Sequence, residues 1–317
     1  MNGIQNVGAW LREQPWIWSF GAAFVAWLVT FGLAHRGAYE TLTTAAIVAV
    51  FLVIVGIGQM FVITTGNGNI DLSIPYVMTL SAFVSAGVMQ GHDDRLWLGV
   101  AAGLLCGLVV AIANVILIRA LRIPAIIATL AVGFIVQSAA LVRSQGFSAD
   151  PSPSLVGFTS VRVAGLPVMA LVFIAVAALA ALVLQRTLFG RAVQAVGQKP
   201  RAAWLVGIHV ARTVTIAYLI SGLLAGLAGV LLSAYSGGAS LDIAGPYLLG
   251  SIAVVVLGGS LIVGGKSNVA GIWGAAMFLT LLVTMLNVAN LSAAWQDIIE
   301  GLIIVGVLVV ASGKPAG

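Results

Sequence analysis

One acidic residue lies at the edge of a long uncharged run, where a charge is costly. Asp71 opens the motif Asp71-Leu72-Ser73, which follows a glycine-rich turn and leads into apolar sequence. A carboxylate at the centre of a bilayer costs about 2.5 to 3.5 kcal/mol on insertion scales and usually marks a functional position. Near a helix start, the same carboxylate can accept hydrogen bonds from Ser73 and from backbone N–H groups, as an N-cap does. The sequence leaves both roles open for Asp71, a structural cap and a gate.

Uncharged polar side chains within other apolar runs form a second group of candidates. An amide in lipid costs free energy unless it meets a partner or water, so these side chains are predicted to face the interior of a helix bundle. There they supply the neutral donors and acceptors that a sugar needs along a wet path, or they bind neighbouring helices together. The candidates for a translocation path or gate are Gln59, Asp71, Ser73, Asn114, Gln137 and Asn287.

The sequence contains no motif for catalysis or metal binding. The segment that ends in Gly265-Lys266-Ser267 has the close of a phosphate-binding loop, but Ser260 occupies the position of that loop's first glycine. The three histidines have no cysteine or acidic partner at metal-ligand spacing. We therefore expect a chain that is not an enzyme and that binds neither a metal nor a cofactor itself.

Ten apolar runs must position these residues. Of the 317 residues, 61% are hydrophobic and only 7% are charged, whereas soluble domains carry about 25% charged residues, so a water-soluble fold is excluded. Strands of a membrane barrel would alternate apolar and polar residues, and these runs do not. We predict an all-α polytopic membrane protein with about ten transmembrane helices in a single domain, residues 1–317. The runs are Trp16–Ala34, Leu42–Thr64, Leu72–Gln90, Leu96–Ile118, Ile123–Val142, Val163–Gln185, Thr213–Ser233, Tyr247–Val263, Asn268–Val288 and Ala293–Ser312.

Small residues at four-residue spacing predict where helices approach one another. Two such series are Gly99, Gly103 and Gly107, and Ser221, Ala225 and Gly229. Small side chains let helix backbones come close in lipid, so we expect a tightly packed bundle.

The distribution of basic residues predicts the orientation. Ten of the 14 Lys and Arg residues fall on one side when ten helices are threaded from a cytoplasmic N-terminus. Basic residues favour cytoplasmic loops, so both termini are expected in the cytoplasm. The net charge of +5 then reflects topology and contact with membrane lipid, with no nucleic acid as partner. The longest external loop, Gly146 to Gly165, is expected to have little regular structure.

The longest internal hydrophilic segment is Arg186 to Arg212, which holds five of the basic residues. Pro200 suits the first turn of a short helix, and Gly207 suits its left-handed end. The segment is therefore predicted to fold on the cytoplasmic side. On composition alone it is equally compatible with an amphipathic connector that lies on lipid headgroups.

Three motifs resemble those of the ribose-type ABC sugar permeases. The first leads from TLFGR through AVG to AAWLVGI within residues 187–208. The second is GQMFVITTGNGNIDLSIPYVMTLSA, residues 58–82, and the third is GGSLIVGGKSNVAGIWGAA, residues 258–276, followed by Trp295 and Gln296. The motifs occur in the order typical of that family, and the resemblance covers Ala46 to Val310.

The resemblance implies that residues 186–212, which we call the coupling segment, dock into a groove of a separate ATP-hydrolysing subunit. The residues that it assigns to this contact are Phe189, Gly190, Arg191, Val196, Gly197, Arg201, Ala202, Leu205 and Gly207. The chain would be the permease subunit of an importer in the bacterial inner membrane. Its partners would be an ABC ATPase that binds ATP and Mg, a second permease copy or paralogue, and a periplasmic or extracellular sugar-binding protein.

Several alternatives remain open from the sequence. The cargo would be a monosaccharide or similar small polar solute, while branched-chain amino acids or nucleosides are alternatives for the same fold. An ion-coupled secondary transporter would need buried carboxylates, for which Asp71, Asp297 and Glu300 are the candidates. A structural subunit without a path of its own is a further alternative. The translocation path lies either within each subunit or between two subunits.

Overall fold

A computed structural model describes residues 15–34, 37–145 and 150–312, which are almost entirely helical. The helices are α1 (Pro15–Ala34), α2 (Ala38–Thr64), α3 (Ile74–Met89), α4 (Leu96–Arg119), α5 (Ala125–Ser144), α6 (Pro153–Ser160), α7 (Val168–Arg186), α8 (Leu188–Gln198), α9 (Pro200–Leu205), α10 (Val210–Tyr235), α11 (Tyr247–Leu257), α12 (Val269–Val288) and α13 (Ala293–Ser312). A 3₁₀ turn, Asp93–Arg95, precedes α4, and two short strands, β1 (Arg162–Val163) and β2 (Leu166–Pro167), pair antiparallel. The all-α prediction is confirmed.

Seven of the described helices are long and apolar enough to cross a membrane: α1, α2, α4 with its 3₁₀ turn, α5, α7, α10 and α12. They coincide with seven of the ten predicted runs. The other three runs correspond to α13 and to two shorter apolar helices, α3 with 16 residues and α11 with 11. The predicted count of ten spanning helices is therefore not confirmed, although every predicted run contains a helix.

The predicted run Tyr247–Val263 is wrong at its C-terminal end. Helix α11 ends at Leu257, and the chain then turns until α12 begins at Val269. Gly259, Gly264 and Gly265 adopt positive φ angles of 86°, 93° and 81° in this turn. Only glycine adopts such angles at little cost, so the glycines end the helix although the sequence stays apolar.

The external loop is folded from Asp150 onward, so the expectation of an irregular loop is wrong there. Ser152 caps α6, since its hydroxyl accepts a hydrogen bond from the Leu155 N–H at 3.3 Å. Asp93 Oδ1 accepts a second bond from the Ser154 N–H at 2.9 Å. Residues 146–149 lie outside the described part of the chain.

The chain uses one arrangement of helices twice, in opposite directions. A long helix, an irregular segment, a short helix and another long helix follow one another in α2, α3 and α4, and again in α10, α11 and α12. We call the irregular segments the first break (residues 65–73) and the second break (residues 236–246). Helix α2 runs towards the coupling segment, whereas α10 starts from it, so the two copies are inverted.

The sequences of the two breaks support this repeat. Residues 65–76 read TGNGNIDLSIPY, and residues 236–247 read SGGASLDIAGPY. A constant separation of 171 residues (242 − 71 = 171) relates Asp71 to Asp242, Pro75 to Pro246 and Tyr76 to Tyr247. It also relates Gly66 to Gly237, which have φ angles of 68° and 73°. Inverted repeats with interrupted helices are a known transporter architecture, with binding sites close to the breaks.

Helix α2 lies at the centre of the bundle. Of its 27 residues, those from Ala49 to Thr64 are buried almost without exception, and its neighbours are α10, α11 and α12. The Phe51 ring lies 5.5 Å from that of Tyr235, and Gly58 fits against the backbone of Ser221, which fixes α2 and α10 as antiparallel neighbours. Because α2 is enclosed by these neighbours, it forms the core around which both copies pack.

Two of the three predicted small residues of α4 pack against α10, at glycines that were not in the predicted series of that helix. Gly107 approaches Gly222, and Gly103 approaches Gly226, so closely that neither helix has room for a side chain at these positions. A Cβ atom on Gly107 would overlap the carbonyl oxygen of Gly222. Backbone cannot move aside as a flexible side chain does, so this contact sets the distance between the two helices.

We expect Gly107→Ala to destabilise the protein by about 1–3 kcal/mol, the usual cost of overpacking a close contact. Gly21→Ala on α1 is the matched control, because a Cβ there meets no atom within 4 Å. Thermal unfolding of the purified protein in detergent measures both. Equal melting temperatures for the two variants would contradict the close contact.

Candidate functional site

Four of the six predicted path or gate residues meet at the first break, which itself contains two of them, Asp71 and Ser73. Helix α2 ends at Thr64, and the chain turns through Gly66, Asn67 and Gly68, all with positive φ. Asn69 Nδ2 donates to Thr65 Oγ1 at 2.9 Å and closes the turn. The chain then re-enters the bundle, because Asp71 N–H donates to the oxygen of Gln59, more than one helical turn before the end of α2, at 3.2 Å.

Asp71 is buried, with only 2% of its surface exposed, and three groups donate to its carboxylate. Oδ1 accepts from the Ser73 N–H at 3.0 Å and from the Ser73 hydroxyl at 2.6 Å, and Oδ2 accepts from the Ser221 hydroxyl at 2.8 Å. Hydrogen bonds to a charged group are the strong ones and offset part of the cost of burial. The carboxylate thus joins the first break to α10.

Further polar groups extend this cluster to α4 and α5. Asn114 Nδ2 donates to the Ser73 hydroxyl at 2.8 Å, and the Leu72 N–H donates to Thr129 Oγ1 at 3.1 Å. We call Gln59, Asp71, Ser73, Asn114, Thr129 and Ser221 the Asp71 cluster. It connects α2, α4, α5 and α10 to one short stretch of irregular backbone.

The predicted hydrogen bonds from Ser73 to Asp71 are confirmed, but Asp71 is not the N-cap. Ser73, not Asp71, is the residue that precedes α3, and its side chain makes no capping bond to the helix. Asp71 binds the N–H of Ser73 two residues further on instead, which is the local pattern that Asp side chains make in turns. The polar groups also lie further inside the bundle than predicted, since Ser221 is three turns into α10.

Two buried polar atoms of the cluster have no hydrogen-bond partner among the described residues. They are the Gln59 Nε2 and the Asn114 Oδ1. Buried polar groups are nearly always paired, so one donor and one acceptor remain available beside the carboxylate.

Ser221 and Thr129 were not predicted as members of this cluster. Ser221 belongs to a predicted small-residue series, where it was given a packing role only. Thr129 carries no signal, because a threonine within an apolar run faces lipid, core or a polar partner with equal ease.

The other two predicted path residues lie elsewhere. Gln137 is exposed on α5 and lines a cavity of about 200 Å³ with Tyr76, Thr79 and Asp242 of the second break. Asn287 lines a larger cavity on the opposite side of that break, and its oxygen accepts from Gln296 at 2.9 Å. Asp242 and Tyr76 were also missed, and the repeated sequence around the two breaks is the signal that identifies them.

The coupling segment is folded, as predicted, into α8 and α9. Pro200 begins α9, and Gly207 follows it with a φ of 87°. Thr187 caps α8 by accepting from the Gly190 N–H at 3.1 Å. The Phe189 ring lies 5.9 Å from Phe61 of α2. The segment therefore packs against the bundle as a structured unit.

The predicted coupling residues divide into two groups. Gly190 and Val196 are buried, and Phe189 and Gly197 are partly buried, so these four anchor the segment. Arg191, Arg201, Ala202, Leu205 and Gly207 are exposed. They are joined by three exposed apolar residues that the sequence analysis did not select: Leu188, Trp204 and Val206, at 80%, 67% and 76% exposure. We call these eight exposed residues the coupling surface.

The anchors connect the coupling segment to the first break. Gly197 contacts the Thr64 carbonyl oxygen so closely that a Cβ atom has no room. The same oxygen accepts from the Gly265 N–H at 2.9 Å, and Gln198 Nε2 donates to the Gly265 oxygen at 3.4 Å. A displacement of α8 therefore acts directly on the end of α2, a few residues before Asp71.

Comparison with known proteins gives a consistent result. A sequence model of the family described as "Branched-chain amino acid transport system / permease component" matches residues 20–308. The autoinducer 2 import system permease protein LsrC of Enterobacter sp. (strain 638) is 32% identical over 294 residues, 91% of this chain and 85% of the relative. The L-arabinose transport system permease protein AraH of Escherichia coli (strain K12) is 32% identical over 259 residues, 80% and 77% of the two chains. The ribose import permease protein RbsC of the same strain is 31% identical over 275 residues, 82% of each chain. No solved structure matches.

We expect Ser221→Ala to lower the free energy of unfolding by about 1.5–3 kcal/mol, because it removes a hydrogen bond to a buried carboxylate. Ser233→Ala is the matched control on the same helix. Ser233 is equally buried, but its hydroxyl binds only the carbonyl of Val230 within α10. Thermal unfolding in detergent compares the two. If Ser233→Ala costs as much as Ser221→Ala, the contact with Asp71 contributes nothing of its own.

Proposed function

The chain belongs to the family of branched-chain amino acid transport system permease components, and on this premise we propose that it is the permease subunit of an ATP-binding-cassette importer. The proposed cargo is a monosaccharide or similar small polar solute that enters the cytoplasm. The relatives at 31–32% identity are named as permeases for autoinducer 2, L-arabinose and ribose, which favours a sugar over an amino acid. Residues 186–212 form the coupling segment of this permease.

The coupling surface is the observation that carries the proposal. It presents exposed apolar side chains on a rigid two-helix unit that is anchored to the central helix α2. Exposed apolar patches rimmed by charge are typical of protein interfaces. A connector that only rests on lipid headgroups needs no such anchoring through Gly197 to the first break.

We infer a mechanism in which the ATPase drives a shift between two arrangements of the bundle. ATP-dependent closure of the ATPase moves α8 and α9, and the contacts of Gly197 and Gly265 transmit that movement to Thr64. The Asp71 cluster then keeps the first break attached to α4, α5 and α10, so these helices move together. An ATPase outside the chain can favour one arrangement of the bundle only if its contacts with the chain differ between the two arrangements. In this mechanism the coupling surface provides those contacts.

The proposed partners follow from this mechanism. They are an ABC ATPase that holds ATP and Mg, a second permease copy or paralogue, and a periplasmic or extracellular sugar-binding protein. We propose ten membrane crossings with both termini cytoplasmic, which puts the coupling segment beside the ATPase in the bacterial inner membrane. In this arrangement α3 and α11 contribute crossings together with the breaks that precede them.

Proteoliposomes test the function directly. They contain this chain together with the ATPase and the sugar-binding protein encoded beside it. We expect uptake of D-ribose or L-arabinose only when ATP is supplied on the ATPase side, and no uptake of leucine under the same conditions. Uptake driven by a proton or sodium gradient without the ATPase would instead identify a secondary transporter.

A single charge on the coupling surface tests the docking role. Leu205→Asp is expected to weaken ATPase binding at least about 30-fold, because a buried interface anchor contributes about 2 kcal/mol or more. Leu166→Asp is the control, since Leu166 is also exposed but lies at the other end of the bundle. Co-purification of the ATPase in detergent is the measurement. Retention of the ATPase by Leu205→Asp would exclude this surface as the docking site.

A further inference from the structure

A second polar region lies beside the second break, away from the Asp71 cluster. It is a cavity of about 350 Å³ between α2, α11, α12 and α13. Ile243, Pro246 and Tyr247 of the second break and the start of α11 form one wall. We call it the threonine cavity, after the hydroxyl groups that line it. Its polar residues are Thr44, Tyr247, Thr280, Thr284, Asn287 and Glu300.

The lining combines one polar strip with one apolar face. Thr280, Thr284 and Asn287 follow one another along α12 at helical spacing, while Val48 and Leu52 of α2 provide apolar surface. Among the described residues that line the cavity there is no Lys, Arg or His, and Glu300 is the only charged one. A few placed polar groups in a mostly apolar pocket are typical of small-molecule sites. This set disfavours an anion and suits a neutral molecule with many hydroxyl groups.

Thr280 provides an independent sign of a ligand. Its side chain is 93% buried, and its hydroxyl has no hydrogen-bond partner among the described residues. Buried hydroxyls are normally paired, so this group is available to a bound molecule. Gln296 donates a hydrogen bond to the side-chain oxygen of Asn287, which orients the Asn287 amide and leaves its NH₂ group to donate into the cavity.

The two breaks differ at the equivalent positions. Leu72 at the first break corresponds to Ile243 at the second, by the separation that relates Asp71 to Asp242. At the first break the Leu72 N–H donates to Thr129, and a cavity of about 300 Å³ is lined by Thr65, Asn67 and Asn69 together with Arg119 and Arg122. At the second break Ile243 and Glu300 line the threonine cavity. Both breaks thus border a polar space, but only the cavity at the first break has arginines in its described lining.

We propose that the threonine cavity binds one neutral sugar or polyol within the permease itself. The Thr280 hydroxyl, the Asn287 amide and the Glu300 carboxylate bind the solute's hydroxyl groups, and the α2 side chains contact its apolar face. The Thr284 hydroxyl donates to the Thr280 carbonyl at 2.8 Å, so its oxygen can only accept from the solute. The proposal rests on the proposed function, since it names where the transported class of molecule is held. It places a binding site inside one subunit rather than between two.

Cysteine protection tests the site without relying on transport. Cys106, the only cysteine in the chain, is replaced by serine, and Thr284→Cys is introduced into the cavity. A charged, water-soluble methanethiosulfonate is expected to modify this thiol, and saturating D-ribose or L-arabinose is expected to slow the modification several-fold. Ala289→Cys, exposed just beyond the end of α12, is the control whose rate the sugars leave unchanged.

Thr280→Val in the same background measures the contribution of the unpaired hydroxyl. We expect about a 3- to 10-fold higher sugar concentration for half-protection, the usual effect of one uncharged hydrogen bond. Thr30→Val is the control, since the Thr30 hydroxyl is buried but binds Ala26 within α1. The control also shows whether loss of a buried threonine affects protection in general.

The outcomes separate this inference from the function. A thiol at position 284 that does not react indicates a cavity filled by lipid and overturns the proposal. A reactive thiol that neither sugar protects also overturns it, even when the proteoliposomes take up sugar and the function stands. Protection without ATP-dependent uptake would support the site and refute the importer.

Discussion

A peptide group buried in a membrane bundle has no water to bind, and lipid offers nothing in its place. This chain interrupts its helices twice, so the buried part of each interruption must be satisfied by protein. At the first break the solution is a carboxylate. Asp71 binds a serine on its own segment and a serine on α10, while Gln59 and Thr129 accept the N–H groups of Asp71 and Leu72. The rest of the central packing depends on this arrangement, because α2, α4, α5 and α10 all contribute to it.

The position of that cluster gives the coupling segment a short route into the bundle. Glycines at 66, 197 and 265 bring three backbone segments into direct contact, with no side chains between them to absorb a displacement. Packed backbone transmits movement well because interiors are dense and bistable rather than soft. The coupling surface, the end of α2 and the first break therefore act as one unit. The second break has no comparable set of backbone contacts among the described residues and borders cavities on two sides.

Hydropathy alone predicted the long apolar helices, because a run of about 20 apolar residues is typical of a helix that spans a membrane. It did not locate the end of α11, because the glycines at 258 and 259 continue an apolar pattern while they break the helix. Amides and the carboxylate were predicted to face inward on energetic grounds, and Gln59, Asp71, Ser73 and Asn114 do lie together. Their hydroxyl partners were not predicted, because a small hydroxyl costs little in lipid and its direction depends on the rotation of its helix. The match between residues 65–76 and 236–247 was present in the sequence, and it would have identified the second break.

The two central helices are also long for a bilayer. Helix α2 has 27 residues and α10 has 26, so each measures about 40 Å, against a hydrocarbon layer of about 30 Å. Glycine contacts hold both helices to their neighbours, so neither can tilt independently of the bundle. Their ends therefore extend into the headgroup zone unless the whole bundle tilts. A thicker membrane would cover more of these ends, so bilayer thickness is a physical variable that affects how far the attached α8 and α9 stand out from the hydrocarbon layer.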